Sequence, residues 1–210
     1  MALTLFDNAR SSNALKARFG LAVVGLAYER REVPFAFPRP DWYLAVNPVG
    51  GIPALADGDL VLSESNAILR YLATREGRDD LYPTVARERA LVDEMMERWV
   101  ATFRPAFFKI EAPALGFVLG KGMGAGEPEP EKALAAAAEV QPQLELLERL
   151  VQDPSGFAVL GRPTLADVTA APILFRTTKT GLDLSAYPGI RRWRDTVTAL
   201  PSFAAAEPVI

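Results

Sequence analysis

Asn47-Pro48-Val49-Gly50-Gly51-Ile52-Pro53-Ala54-Leu55, followed shortly by Ser63-Glu64-Ser65-Asn66-Ala67-Ile68, is the stretch around which the rest of the chain is organised. Its first part is a loop of turn formers entering a short apolar strand that starts with proline. Proline has no amide hydrogen, so a strand start tolerates it and a central ladder position does not. Asp57-Gly58-Asp59 reads as a turn, with Leu60-Val61-Leu62 pairing back as the other arm of a hairpin. Ser63 to Ser65 are placed to cap a helix from about Asn66 to Glu76. A strand start at Pro53 and a helix start at Ser65 can converge on one small anionic ligand. Backbone groups of Ile52 would be free beside the proline, and helix amides near Ser65 would attract a carboxylate.

Working outward, Leu3-Thr4-Leu5-Phe6 reads as a buried strand, and Ser11-Ser12-Asn13 offer three successive caps for a helix ending near Gly25. Ala27 to Val33 is a second strand, so the strand-helix-strand unit predicts a parallel pair with a right-handed crossover. A short helix from about Asp41 to Val46 precedes the hairpin. The polar run from Gly77 to Pro83 is read as a linker, and beyond it almost nothing reads as strand.

Ala86 to Phe103 forms a long helix, with Leu91, Met95 and Arg98 on one line and Val92, Met96, Trp99 and Phe103 on another. That face is wider than one packed neighbour needs, which suits a central core helix or a helix shared with a second subunit. Pro105 ends or kinks it. Gly120 to Gly126, then Glu127-Pro128-Glu129-Pro130, is the most flexible stretch, either a solvated connection or a lid over a cleft. It is not a phosphate loop, because Lys121 is followed by Gly122 rather than Ser or Thr. Glu131 to Gln152 reads as one helix kinked at Pro142, with Leu134, Ala138, Leu144, Leu147 and Leu150 inward. Thr164 and Asp167 stand in the capping-box relation at the start of a further apolar helix.

Half of the 210 residues are hydrophobic and the net charge is −3, which suits a sizeable core and argues against a nucleic-acid surface. Asp7 and Arg10 interrupt the Met1 end before any long apolar run, so no signal peptide is expected. No window approaches a membrane span, and a soluble cytoplasmic protein is the expectation. There is no cysteine, which removes thiolate nucleophiles and redox pairs, and no histidine, which removes the usual general base and the common zinc sites. A reactive group would then have to come with a cosubstrate; no metal is expected.

The loop with Ile52-Pro53, the Glu64-Ser65 pair and the Thr164-to-Asp167 box together resemble the glutathione S-transferase family. The resemblance implies an α+β thioredoxin-like, glutathione-binding domain over residues 1–78 and an all-α helical domain over residues 85–210, in a homodimer. It implies a cis peptide before Pro53, pairing of the Ile52 backbone with the cysteinyl part of glutathione, and capture of the γ-glutamyl end by Glu64 and Ser65. It further implies that a residue near the end of the first strand donates a hydrogen bond to the glutathione sulfur. Arg10-Ser11-Ser12-Asn13 resembles the Arg-Ser-Ser-Cys motif of the zeta class, with Asn13 where cysteine stands, so Ser11 is the expected thiol activator and Ser12 the second choice. Arg39 is the candidate for the glycine end of glutathione. The electrophile, expected to be hydrophobic, would lie between the domains against Trp99, Phe103 and Phe107 or Phe108. The expected activity is addition of the glutathione thiolate to an electrophilic carbon, a detoxification-type conjugation. The alternatives are a glutathione-dependent isomerase or a non-catalytic binding module with the same fold.

Overall fold

The computed structural model describes residues 3–208; Met1, Ala2, Val209 and Ile210, which include the Met1 end discussed above, lie outside them. Strand β1 (Leu3–Asp7), helix α1 (Ser12–Val24) and strand β2 (Tyr28–Glu32) form the expected unit, and β1 and β2 are parallel. After α2 (Asp41–Leu44), strands β3 (Ala54–Asp57) and β4 (Leu60–Leu62) form the hairpin, and β3 pairs antiparallel with β1. The sheet order is β2-β1-β3-β4. Leu3, Leu5 and Leu55 pack on α1 and on α3 (Ser65–Arg75), while Phe6 and Ala54 pack toward Tyr43 of α2.

Gly25 ends α1 at φ 76°, a conformation that costs glycine little. The start of α3 differs from expectation. Its N-cap position is Glu64, whose side chain makes no capping bond, and Ser65 is already the first helical residue. The Ser65 hydroxyl is occupied by Lys16 instead.

The remaining helices are α4 (Ala86–Arg98), α5 (Arg104–Ala114), α6 (Pro130–Glu139), α7 (Gln141–Leu150), α8 (Leu165–Arg176), α9 (Pro188–Thr198) and α10 (Pro201–Ala205). Pro105 neither ends nor sharply breaks the long helix. A π-helical turn over Trp99–Phe103 joins α4 to α5, leaving Pro105 in the first turn of α5, where its missing N–H costs little. The helix expected from Glu131 to Gln152 is two helices that meet at Val140, with Pro142 in the first turn of α7. The break resets the helical phase: Ala133, Val140, Leu144 and Leu147 are buried, whereas Leu134 is 74% exposed and Ala138 is exposed.

Thr164 and Asp167 form the capping box of α8, and the box reaches further than its own helix. Asp167 accepts from Thr164 N and Oγ1, from Ala158 N, and from Trp193 Nε1 at 2.7 Å, so one buried carboxylate ties α8 to α9. Among the described residues no helix is long and apolar enough to cross a membrane.

Candidate active site

The site lies where β1 gives way to α1. Asn8 shapes this turn: its Nδ2 donates to Val33 O at 2.9 Å, and its Oδ1 accepts from Arg10 N at 3.0 Å. Ser11 is the N-cap of α1, accepting from Ala14 N at 3.2 Å, and its own hydroxyl donates to Ile52 O at 3.2 Å. The Ile52 carbonyl is therefore not free beside Pro53, as the sequence suggested; Ser11 holds it. The Ile52-Pro53 peptide is cis. The loop before it is pinned at Gly51 O, which accepts from Asn47 Nδ2 at 2.8 Å and from the Tyr43 hydroxyl.

Ser11, Ser12, Asn13, Arg39 and Ile52 line a cavity of about 190 Å³ together with residues from the helical half. Ser12 Oγ lies 3.5 Å from Arg104 Nη2, and Arg104 Nη1 donates to Glu111 Oε2 at 2.9 Å. Arg176 Nη2 donates to Arg10 O at 3.1 Å. Glu111 and Arg176 are almost fully buried. Burial raises the Glu111 carboxyl, against the pull of Arg104 and Arg176. Three arginines (Arg10, Arg104 and Arg176) thus line the same cavity as the alcohol pair, and the buried acid Glu111 pairs with Arg104.

Arg39 is placed differently from its expected use. Its Nε donates to Gly50 O at 2.9 Å and its Nη1 to Pro34 O at 2.8 Å and Ala36 O at 3.3 Å, and its guanidinium lies 4.2 Å from the Phe37 ring centre. It braces the loop between β2 and α2 and spends these donors on backbone carbonyls. Glu64 and Ser65 stand apart, at the start of α3, and are not among the residues lining this cavity.

The acceptor wall expected at Trp99, Phe103 and Phe107 is core. All three are at most 2% exposed, and Trp99 meets Phe107 at 5.6 Å and Trp193 edge-on at 5.6 Å. Of the expected wall only Phe108, the alternative to Phe107, lines the cavity; the other apolar lining comes from Phe35, Phe117 and Met123, with Phe108 and Phe117 edge to face at 5.2 Å. Met123 belongs to the glycine-rich segment, which is folded rather than loose. Gly124 N donates to Leu115 O at 2.7 Å, Gly126 N to Gly116 O at 3.0 Å, and Arg10 Nη1 to Lys121 O at 3.1 Å. The segment covers the site from the helical side. A Cβ on Gly122, at φ +87°, would stand 3.1 Å from the Phe35 ring and 3.2 Å from Arg10 Cβ, so glycine permits that approach.

Residues 1–74 match the family described as "Glutathione S-transferase, N-terminal domain", and residues 82–196 match "Glutathione S-transferase, C-terminal domain". The chain belongs to the glutathione S-transferase family. It is 32% identical over 212 residues to the maleylacetoacetate isomerase of Pseudomonas aeruginosa, covering 98% of this chain and 96% of that one. It is 27% identical to a zeta-class glutathione S-transferase of Euphorbia esula, covering 98% and 90%. Among solved structures it superposes on the theta-class glutathione S-transferase of Xanthomonas axonopodis pv. citri with glutathione bound, at a TM-score of 0.82 and 29% identity, covering 100% and 98%. The expected fold, a thioredoxin-like half followed by a helical half, holds, as does the reading of the chain as an enzyme of the glutathione transferase type.

Sequence reasoning missed Arg104, Arg176 and Lys16. The signal was clearest for Lys16, a cation inside a largely apolar helix, whereas Arg104 and Arg176 stand at helix ends. In α1 every residue from Ala14 to Leu21 is buried, Lys16 and Arg18 included, and Arg176 closes the nearly all-buried α8.

Proposed function

We propose that this chain binds glutathione across the Ile52-Pro53 loop and the start of α3, and ionises its thiol beside Ser11. The thiolate is then directed at an electrophilic carbon of an acceptor that carries a carboxylate. The observation that carries the reading is the Ser11 hydroxyl bonded to Ile52 O. When the cysteinyl amide of glutathione takes that carbonyl, the Ser11 proton loses its acceptor and is free to turn to the sulfur.

An ordinary thiol of pKa about 8.5 is only about 3% ionised at pH 7, and about 2.7 kcal/mol of differential stabilisation makes the thiolate the main form. A charge-assisted hydrogen bond of about 1.5–3 kcal/mol and the α1 N-terminus at about 0.3–1 kcal/mol can supply it. The thiol proton passes to solvent, the thiolate's electron pair forms the S–C bond, and the pair displaced from the acceptor's C=C or carbon–leaving-group bond moves into its conjugated carbonyl or departs with the leaving group.

The acceptor expected from sequence was simply hydrophobic. The lining supports a different class, because Arg10, Arg104 and Arg176 face the same space as Phe108 and Phe117: an apolar body with an anionic end. The same arginines favour a second reading, isomerisation of an unsaturated carboxylate by reversible thiolate addition; the Pseudomonas relative is named an isomerase. Asn13, at the position of the zeta-class cysteine, lines the cavity. Calorimetry with glutathione should give a dissociation constant in the micromolar to millimolar range, about −8 to −4 kcal/mol. Arg176→Ala should raise the acceptor KM at least about tenfold and leave that for glutathione nearly unchanged. No binding at ten millimolar glutathione (about that concentration spans the whole weak range) defeats the proposal; an unaltered acceptor KM defeats the anionic-acceptor part alone.

The homodimer is part of the same proposal. Leu91 and Val100 are 41% and 45% exposed on the α4 side, and Val61 is 40% exposed on the edge strand β4. Light scattering after size exclusion should give twice the chain mass, and Val100→Glu should shift it toward one; a monomer in the unmodified protein rejects the dimer.

A further inference from the structure

Lys16 is a lysine in the wrong place for an ordinary lysine. It sits on α1 between Leu15 and Ala17, 5% exposed, at the seam between the sheet half and the helices. Its Nζ donates to Ser65 Oγ at 3.1 Å and to Asn66 Oδ1 at 3.0 Å. Asn66 Oδ1 accepts a second bond, from Thr169 Oγ1 of α8 at 3.3 Å. No carboxylate is bonded to Lys16 among the described residues. A buried ammonium is costly unless it is paired. Here it is given two neutral oxygens, and one of them belongs to the pair proposed to hold the γ-glutamyl end of glutathione.

We propose that Lys16 is a positioning residue for glutathione: from behind α3 it fixes the Ser65 hydroxyl as a donor toward the γ-glutamyl carboxylate and supplies the positive charge that this carboxylate meets. The proposal rests on the reading of Glu64-Ser65 as the γ-glutamyl site. An ammonium has three donors and no acceptor. The Ser65 oxygen must therefore accept from Lys16, and its own hydrogen is turned away from the cation. A hydroxyl fixed in this way presents its hydrogen to an incoming group, which suits a carboxylate, while the cation behind it disfavours an incoming ammonium. Asn66 and Thr169 hold the lysine from the far side, so the helical half contributes to a site on the sheet half without touching the ligand.

The charges around Lys16 are arranged to make its proton responsive. Burial lowers its pKa to about 7, and Arg104 of α5 lowers it as well, while Glu64 at the head of α3 and Glu97 of α4 raise it. Glu97 is already held by Arg70 at 2.6 Å, and Ser65, Asn66 and Thr169 are neutral. A carboxylate arriving at Ser65 raises the proton affinity of the lysine, so binding takes up a proton near neutral pH. By linkage, affinity then falls as pH rises above the value of the free protein.

The test uses S-methylglutathione, which keeps both carboxylates and has no thiol to ionise. Titration calorimetry in two buffers of different ionisation enthalpy, with the full chain, should show uptake of about half a proton per ligand at pH 7.5. This figure assumes that the carboxylate raises the lysine's proton affinity tenfold. On the same basis the affinity should fall about fourfold between pH 6.5 and pH 8. Lys16→Gln, which keeps a donor to Ser65 and cannot titrate, should abolish the proton uptake and flatten the pH profile. In that variant the glutathione KM should rise while kcat at saturation stays nearly unchanged. Binding by the unmodified protein without proton uptake overturns the proposal, and this measurement decides even if Lys16→Gln does not fold. Absence of S-methylglutathione binding at any pH overturns the glutathione site itself; binding that is strong but pH-independent overturns only the role of Lys16.

Discussion

Ser11→Ala is expected to lower turnover by about ten- to a thousandfold, equivalent to about 1.4–4 kcal/mol of transition-state stabilisation, and to raise the pKa of bound glutathione. Ser11 has two separable jobs. As N-cap of α1 it accepts from Ala14 N, and toward the ligand it donates, at present to Ile52 O. Alanine removes both, and loss of the cap alone costs about 0.5–2 kcal/mol of stability. Glycine removes the hydroxyl too but costs only a few tenths of a kcal/mol as a cap. Ser11→Gly should therefore match Ser11→Ala in lost turnover and melt a few degrees higher. If the two activities track the two melting temperatures instead, Ser11 acts through structure alone. Ser12 is the control: its hydroxyl has Arg104 3.5 Å behind it, and a larger effect of Ser12→Ala on turnover and thiol pKa would move the role one residue along. Absorbance of the bound thiolate against pH reads the second quantity directly.

What the sequence made legible was what is local in the chain. The Asn47-to-Leu55 loop, the hairpin turn, the Gly25 stop and the Thr164–Asp167 box are each specified by a few adjacent residues with restricted backbone or capping chemistry, and each is in place. What failed depended on partners distant in sequence. Trp99, Phe103 and Phe107 carry the right chemistry for an acceptor wall, but α9 brings Trp193 against Trp99 and makes them core. Leu134 and Ala138 fit a helical stripe only if the helix runs unbroken past Val140, and it does not. The arginine lining was invisible for a related reason. Arg104 and Arg176 are far apart in sequence, and each alone reads as a cation at a helix end. Only the packing of α5 and α8 against the α1 N-terminus brings them to one cavity, and it is this shared lining on which the proposed anionic acceptor rests. The glycine-rich segment reads as loose because alternate glycines maximise backbone freedom; the sequence does not show that Gly122 and Gly120 also permit close approach to Phe35 and Phe37.

Asp167→Ala is expected to destabilise the protein by about 3–5 kcal/mol at pH 5, the largest stability effect of any single change considered. The carboxylate is fully buried and accepts four hydrogen bonds, two from Thr164 and one each from Ala158 N and Trp193 Nε1. Each buried donor left without an acceptor costs about 1–3 kcal/mol, and the lost cap adds to that. With a shift of about 2–4 °C per kcal/mol for a chain of this size, the melting temperature should fall by about 6–20 °C. The effect should also depend on pH in a direction opposite to that of an ordinary paired carboxylate. Burial, outweighing the four donors, raises the Asp167 pKa from 3.8 to about 6. A folded-state value above the unfolded one means that the native protein binds the proton more tightly. The associated stability is fully present below about pH 4 and is lost as pH rises through about 6. The Thr164 hydroxyl can reverse to accept the proton, so the protonated acid keeps its place in the box. The difference in unfolding free energy between the unmodified protein and Asp167→Ala, from urea melts, should accordingly be about 1 kcal/mol larger at pH 5 than at pH 7. A difference that grows with pH would mean that the four donors outweigh burial and that Asp167 is held as a stable anion. A total loss below about 1 kcal/mol would remove Asp167 as the tie between α8 and α9.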